Sequence, residues 1–311
     1  MKATMARREF LKSVGAGALG AAGLNAGGPL AQAKPVETSA DLAKKPRLLA
    51  GCCAYSYREL LTHGQMTMED FILKAVELGL DAVDMTVYFL KGTDAGYLEG
   101  LRRLAYKNAV GFSGAACGAS LVQADAAKRA DALMQVKKWV DVTERLGASH
   151  LRIFAGELPA GAALKEAADW TVEGMKAACD YAGAKGIMLG IEDHMGVTQS
   201  ADVCVEIMQR VNSPYAGINL DITNFISTPE KDDYAQIAAC LPYATVSHIR
   251  DHFPDGRAVD MDRVWRLYAE AGHKGVMSVE YEGGHKDVEP VAGAARLIAS
   301  TRELCRKYSS V

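Results

Sequence analysis

The feature that most constrains this chain is an eightfold alternation of short apolar runs with helical patterns. The runs are rich in β-branched residues, as buried parallel strands are. They start 28 to 40 residues apart, which is the length of a strand, a crossover helix and their loops. The predicted strands are Leu48–Ala54, Ala82–Thr86, Val110–Ala115, His150–Ala155, Ile187–Ile191, Ala216–Leu220, Thr245–Ile249 and Gly275–Val279. The clearest helical patterns between them are Met68–Leu78, Asp125–Leu146, Leu164–Ala184 and Asp260–Ala271.

This alternation has two common solutions, an open doubly wound sheet and a closed barrel. A dinucleotide-binding sheet would show G-x-G-x-x-G after an early strand, and the first strand here is followed by Tyr55-Ser56-Tyr57 instead. Four glycines (Gly79, Gly147, Gly186 and Gly272) lie at or just past helix ends, where a left-handed residue is favoured. The sequence therefore predicts a single parallel (β/α)₈ TIM barrel over residues 46–311.

Residues 1–33 look like a twin-arginine export signal. The paired arginines of Arg7-Arg8-Glu9-Phe10-Leu11-Lys12 precede a weakly apolar Ala/Gly-rich stretch, and Ala31-Gln32-Ala33 has the form of a cleavage site. The stretch is too interrupted to be a membrane span. We expect recognition by the twin-arginine export machinery, cleavage near Ala33, a periplasmic location and no stable membrane anchor. A polar lead-in, 34–45, would follow. The alternative is an ordinary N-terminal arm.

Charge and cysteine content narrow the function classes. The first 33 residues carry a net charge of +3 and the whole chain −3, so the mature chain would be near −6. With no basic run, the negative net charge argues against nucleic acid as a partner.

Seven scattered cysteines form no C-x-x-C pair, so they signal neither a zinc site nor a disulfide framework. Most are expected to be small buried side chains. The sequence leaves open whether the chain forms a homo-oligomer.

Four consecutive predicted strands end in an ionisable residue. Strand five ends at Glu192, strand six at Asp221, strand seven at His248 and strand eight at Glu280. Catalytic groups of such barrels gather at the carboxyl ends of the strands. Each residue alone would more often be a loop cap, a salt-bridge partner or a structural histidine. Together they predict a site for one divalent metal ion, because three converging carboxylates would otherwise repel one another. Mn²⁺ or Mg²⁺ suits this oxygen-rich set, with Co²⁺ or Zn²⁺ as alternatives.

These motifs resemble those of the sugar phosphate isomerase/epimerase superfamily, the xylose-isomerase-like barrels. Ile191-Glu192-Asp193-His194-Met195-Gly196 is similar to the family's I-E-N-H-G-G, Leu220-Asp221-Ile222-Thr223-Asn224 to its L-D-x-x-N, and His248-Ile249-Arg250-Asp251 to its H-x-K-D. The resemblance implies that Glu192, Asp221, His248 and Glu280 bind one ion, usually Mn²⁺. Asp193 and Met195 depart from the family's Asn and Gly, which bears on the substrate more than on the metal.

The chemistry suggested is proton abstraction next to a carbonyl, with the metal stabilising the enediolate that forms. The resemblance gives Glu192 and Glu280 a second role as the catalytic acid and base. We therefore expect an isomerase or epimerase of a sugar or keto-sugar, with a carbohydrate or cyclitol as the partner. The alternative is a metal-dependent lyase or dehydratase that acts by β-elimination on an inosose or a 3-keto-glycoside.

Several residues near the strand ends are candidates for substrate binding. His194 would bind a hydroxyl or support the metal site, and Arg250 would contact substrate oxygens or pair with Asp251 or Asp193. Arg152 and Glu157 would bind substrate or form an ion pair at the barrel mouth. Asn224 would orient the loop or a hydroxyl. A wall for a sugar ring is predicted from three tyrosines that packing would explain equally well: Tyr55, Tyr57 and Tyr88.

Two further alternatives are weaker. A DNA-repair endonuclease of this barrel type would need a His-rich multi-zinc cluster, and the chain has only seven histidines, most without a partner at ligand spacing. A non-enzymatic sugar-binding barrel would not need the acid/base pair Glu192 and Glu280. No Gly-rich loop in phosphate-cradling form follows strands seven or eight; Gly283-Gly284-His285-Lys286 is only a faint candidate.

Overall fold

Eight parallel strands close into a barrel in this computed structural model, which describes residues 45–228, 232–283 and 289–309. The strands pair in chain order, and the last pairs with the first. They are β1 (Arg47–Cys53), β2 (Ala82–Thr86), β3 (Gly111–Ser120), β4 (His150–Phe154), β5 (Met188–Glu192), β6 (Ala216–Asp221), β7 (Ala244–Ile249) and β8 (Lys274–Val279). The predicted (β/α)₈ TIM barrel is confirmed.

Helices follow each strand in the described part of the chain. They are α1 (Arg58–Thr62), α2 (Met68–Glu77), α3 (Ala95–Lys107), α4 (Ala126–Leu146), α5 (Leu164–Gly183), α6 (Ala201–Val211), α7 (Asp233–Cys240), α8 (Met261–Glu270) and α9 (Pro290–Tyr308). Most predicted boundaries differ from these by a residue or two. The exception is β3, which runs five residues beyond its predicted end, because the small residues Ala115–Ser120 continue the pairing with β4.

Local sequence signals account for the helix ends. The α2 helix begins with a capping box, in which Thr67 accepts from the backbone of Asp70 and the Asp70 carboxylate accepts from the backbone of Thr67. Aspartates cap the starts of α3, α4, α7 and α8. The four predicted helix-end glycines, Gly79, Gly147, Gly186 and Gly272, all have positive φ, as expected of left-handed terminators.

The apolar core fills the barrel and the layer between strands and helices. Phe71 and Ile72 of α2, Leu98 and Leu101 of α3, and Trp265 of α8 are almost fully buried.

Among the described residues, no helix has the length and apolar character needed to cross a membrane. All seven cysteines are buried and unpaired, as the sequence suggested.

The predicted export signal, 1–33, and all of the lead-in except Lys45 lie outside the described residues. The same holds for Gly284, His285 and Lys286 of the faint phosphate-loop candidate. These predictions are therefore not tested by the structure.

Candidate metal centre

The pairing of the strands brings the four predicted ligands to one face of the barrel wall. Asp221 pairs with His248, which pairs in turn with Ser278. Glu280 lies two residues beyond Ser278 and so points to the same side. Glu192 pairs with Asn219, two residues before Asp221, by the same alternation. One ligand atom from each of Glu192, Asp221, His248 and Glu280 lies within 4.8 Å of the others, and all four residues are buried.

The imidazole of His248 is the centre of this group. Its Nδ1 is 3.1 Å from Glu192 Oε1 and 3.3 Å from Glu280 Oε2. Its Nε2 faces the opposite way and lies 3.2 Å from Asp84 Oδ2. Asp84, on β2, is fully buried and was not singled out from the sequence. A carboxylate on the outer nitrogen of a metal-binding histidine fixes the tautomer and the ring orientation, which is the role that Asp84 is placed to fill.

Two arginines contact the carboxylates from the sides. Arg152 Nε lies 3.2 Å from Glu192 Oε2, and Arg250 Nε lies 3.1 Å from Asp221 Oδ2. Neither contact has the alignment of a hydrogen bond, since both Nε atoms and Asp221 Oδ2 are without hydrogen-bond partners. Arg250 Nη2 also lies 3.3 Å from Glu280 Oε2 and 2.9 Å from Glu282 Oε1. The ion-pair partners of Arg250 are thus the candidate ligands and Glu282, rather than Asp251 or Asp193.

Burial and charge shift the ionisation of these groups in opposite directions. Burial alone would lower the pKa of His248, but the charges of Glu280, Asp84 and Glu192 outweigh it and raise that pKa well above its usual range. Burial likewise opposes ionisation of Glu280, yet His248 and Arg250 bring its pKa below the usual range. For Asp221, burial prevails over Arg250 and the pKa is raised. Nearby positive charge therefore stabilises the anionic form of Glu280, whereas burial favours the neutral form of Asp221.

The donor set fits a divalent cation. Three carboxylates and one imidazole present hard oxygen atoms and a single nitrogen, which suits Mn²⁺ or Mg²⁺. Asp221 Oδ2, buried and without a hydrogen bond, retains the capacity to coordinate. A thiol also reaches the site, because Cys53 Sγ is 3.5 Å from Glu280 Oε1. Among the described residues, groups able to hold a metal occur only at this place, in two sets that share His248 and Glu280.

Asp193 shows how the chain departs from the related I-E-N-H-G-G motif. Its Oδ1 accepts a 2.7 Å hydrogen bond from the backbone N–H of Asp221, and its Oδ2 is buried without a partner. Burial, together with the nearby Asp221 charge, raises the pKa of Asp193 well above its usual range. The raised pKa favours the neutral carboxylic acid, which resembles the amide of asparagine in shape and charge. Aspartate in place of the family's asparagine therefore still accepts the hydrogen bond from the Asp221 backbone.

A cavity of about 230 Å³ opens at two of the four candidate ligands, Glu192 and Glu280. Its lining includes both glutamates and four of the five predicted substrate-binding residues, namely Tyr55, Arg152, His194 and Arg250; Tyr88, Phe154 and Glu282 complete it. The rings of His194 and Phe154 are 4.7 Å apart, and the Arg152 guanidinium lies 4.2 Å from the centre of the Phe154 ring. The cavity thus combines charged groups with aromatic faces, a lining that small-molecule sites commonly have.

Three predicted residues lie elsewhere. Asn224 lines an adjoining cavity of about 550 Å³ instead, where its Nδ2 is buried without a hydrogen-bond partner. Tyr57 is 2% exposed and packs against Phe71 with ring centres 5.8 Å apart, so it belongs to the core and not to a sugar-binding wall. Glu157 is exposed and lines neither cavity, because the loop after β4 carries it outward.

This chain matches the sequence profile of the family described as "Xylose isomerase-like TIM barrel" over residues 72–304, which is more than half of the chain. None of the curated protein sequences matches this chain significantly.

Several solved structures share the fold. The D-allulose 3-epimerase from Methylomonas sp., in complex with D-allulose, is 17% identical with a TM-score of 0.64, and the match covers 85% of this chain and 98% of that one. An L-ribulose 3-epimerase is 15% identical with a TM-score of 0.69, covering 84% and 96%. The probable 3-DHS dehydratase of petrobactin synthesis from Bacillus anthracis is 13% identical with a TM-score of 0.63, covering 83% and 98%. At these identities the likeness shows the fold alone.

Proposed function

The chain belongs to the Xylose isomerase-like TIM barrel family, and from this premise we propose that it is a divalent-metal-dependent isomerase or epimerase of a sugar or keto-sugar. The observation that carries the proposal is the convergence of Glu192, Asp221, His248 and Glu280, whose ligand atoms lie within 4.8 Å of one another. Two of them, Glu192 and Glu280, line an open cavity. Solved neighbours named as sugar 3-epimerases support a carbohydrate substrate.

The four converging residues would hold one ion, with Mn²⁺ the first expectation. When bound, such an ion polarises the substrate carbonyl and stabilises the negative charge that develops on its oxygen as the neighbouring proton leaves. His248 would offer Nδ1 to the ion while its Nε2–H donates to Asp84, which fits the two distances at that ring.

Glu192 and Glu280 would move the proton. Both line the cavity, and both contact His248 Nδ1, so their carboxylates face the same volume from β5 and from the end of β8. One would take the proton from the carbon next to the carbonyl, and the other would return a proton to the opposite face, which inverts that carbon. If the proton were instead delivered to the former carbonyl carbon, the aldose and ketose forms of the sugar would interchange.

The arginines and aromatic side chains would position the substrate. Arg152 and Arg250 hold Glu192 and Glu280 in place and present N–H groups to the cavity, where sugar oxygens would accept them. His194 and Tyr55 line the same volume and would bound the ring. Exclusion of water by these side chains would protect the carbanionic stage of the reaction from side reactions.

Solvent exchange tests this proposal directly. Manganese-loaded protein is incubated in D₂O with D-allulose, D-fructose and related ketoses, and deuterium at the carbon next to the carbonyl is measured by mass spectrometry and NMR. Glu192→Gln and Glu280→Gln should each lower the exchange rate by about 10²–10⁴-fold at saturating Mn²⁺. Glu157→Gln, outside the cavity, is the matched control. Unchanged exchange in both site variants would overturn the assignment of the two glutamates.

A second candidate is a lyase or dehydratase that uses the same groups for β-elimination. It is supported by the likeness to a structure named as a probable 3-DHS dehydratase. Loss of a leaving group instead of proton return would give an unsaturated carbonyl product. Absorbance of that product in the near ultraviolet, or release of an aglycone from a keto-glycoside, would distinguish elimination from epimerisation.

We also propose that the reaction takes place in the periplasm. The paired arginines and the cleavage motif of residues 1–33 support export through the twin-arginine machinery to the periplasm. A free sugar, glycoside or cyclitol would be the expected substrate there.

A further inference from the structure

The cavity over the candidate metal centre is small, and a larger one continues from it. The first has a volume of about 230 Å³, and the second about 550 Å³. His194, Arg250 and Glu282 line both, so the two volumes share a wall at the mouth of the barrel. Small-molecule sites in proteins usually span about 300–1,000 Å³. The first cavity falls below this range, and the second falls within it.

Two large apolar side chains stand exposed at the barrel mouth in the lining of the second cavity. Met195 is 59% exposed and Ile226 is 56% exposed. Pro254 adds exposed apolar surface, while Phe225 and Phe253 reach the lining only with the edges of buried rings. Exposed apolar side chains that cluster in a concave wall mark a binding site more often than scattered ones do.

The backbone holds these two side chains outward. The Ile226 N–H donates to Gln199 O at 3.1 Å, and Gln236 Nε2 donates to Ile226 O at 2.8 Å. Met195 lies between His194, whose N–H donates to Thr198 Oγ1, and Gly196, whose positive φ turns the chain. The backbone from which Met195 and Ile226 project is therefore held by hydrogen bonds to neighbouring elements.

Polar groups lie beside this apolar wall. Asn224 Nδ2, also in the lining, is a buried donor without a hydrogen-bond partner. At the outer end, Arg257 pairs with Asp233 at 3.1 Å and lies over the Phe253 ring at 4.6 Å. Hydroxyl and charged side chains, among them Thr223, Ser227 and Glu282, also line the cavity. An apolar patch beside a buried donor and these polar groups suits an aromatic ring that bears oxygen substituents.

We propose that the second cavity is a subsite for the aglycone of a glycoside, so that the substrate is a sugar linked to an aromatic ring and not a free monosaccharide. The sugar would occupy the small cavity beside Glu192 and Glu280, and the ring would lie against Met195 and Ile226. This inference rests on the proposed function for the position of the sugar. The shape and lining of the second cavity carry it beyond that function.

The test compares two probes, methyl and phenyl 3-keto-β-D-glucoside, with the manganese-loaded protein in D₂O. Burial of the phenyl ring should lower KM by about tenfold or more, since removing an aromatic ring from water favours binding. Met195→Gly and Ile226→Ser should bring the ratio of the two KM values towards one. Tyr106→Ser, which removes an 85%-exposed side chain on α3, is the control and should keep the ratio.

The outcomes separate the two proposals. Deuterium exchange with equal KM for both probes would overturn the subsite and leave the proposed function standing. A 3-keto-disaccharide preferred over the phenyl glycoside would overturn the choice of an aromatic aglycone. If neither probe exchanges while a free ketose does, the subsite proposal fails and the proposed function stands. If no sugar exchanges, the proposed function fails, and calorimetric binding of the two probes decides the subsite alone. A tenfold preference for the phenyl probe would then support the subsite, and equal affinities would contradict it.

Discussion

At the scale of single residues, the candidate centre depends on side chains that carry no motif of their own. Asp84 is a lone aspartate within a five-residue strand, yet it supports His248 from β2, across the barrel. Cys53 reaches Glu280 from the end of β1. Sequence reasoning found the four ligands because they follow four successive strands. Asp84 could not be found because its contact crosses the barrel, and Cys53 could not be found because its contact depends on the register of β1 against β8.

Removal of the Asp84 carboxylate should weaken metal binding. In Asp84→Asn, the carboxylate that fixes the His248 ring is lost, so Mn²⁺ affinity should fall by about 10–100-fold. Titration calorimetry on metal-stripped protein measures this. Asp131→Asn, an exposed aspartate on α4, serves as the control. An affinity equal to that of the unchanged protein would show that Asp84 does not position His248.

A buried histidine far from the metal ligands should make stability depend on pH. Burial lowers the pKa of His273 from 6.5 to about 4, so the unfolded chain binds a proton that the folded chain does not bind between these values. Stability is therefore retained above about pH 6.5 and lost as the pH falls towards 4. The contribution at pH 5 is about 1–2 kcal/mol, which corresponds to a decrease of a few degrees in Tm.

His273→Gln should reduce the difference in Tm between pH 7 and pH 5, measured by thermal denaturation. His63→Gln, which alters an exposed histidine on the surface, should not change that difference. An identical difference in His273→Gln and the unchanged protein would contradict the account.

At the scale of elements, the turn between β5 and α6 sets the geometry of both cavities. It carries His194 into the first cavity and Met195 into the second. Thr198 ties the turn together by donating to Glu192 O at 2.8 Å and accepting from the His194 N–H. Gly196 has a φ of +83°, and a Cβ there would lie 2.4 Å from Gly156 O. The turn therefore requires glycine at this position.

Gly196→Ala should destabilise the protein by about 1–3 kcal/mol, because alanine is strained at this φ and meets backbone that cannot move aside. Chemical denaturation measures the change. Gly100→Ala is the matched control, since Gly100 lies in α3 with open space around its Cβ position. Alanine there should stabilise by about 0.5–1 kcal/mol. Equal stability of Gly196→Ala and the unchanged protein would show that the turn relaxes freely.

At the scale of the whole molecule, the regular part of the fold could be predicted and the irregular part could not. Strand and helix positions followed from hydrophobic periodicity, and the strand-end rule located Glu192, Asp221, His248 and Glu280. The extension of β3 to Ser120 was missed, because small residues such as Ala115–Ser120 carry little strand signal. The second cavity was missed as well, since the loops after four strands, β5 to β8, form it, and no pattern in any one loop shows which others it will meet.

Four neighbouring strands are proposed to bring their ligands to one divalent ion. Electron paramagnetic resonance of Mn²⁺, titrated into metal-stripped protein, counts bound and free ions directly. We expect one bound Mn²⁺ per chain, and loss of that binding in Asp221→Asn, while Asp131→Asn still binds one ion. No bound Mn²⁺ in the unchanged protein, or full binding in Asp221→Asn, would contradict this proposal.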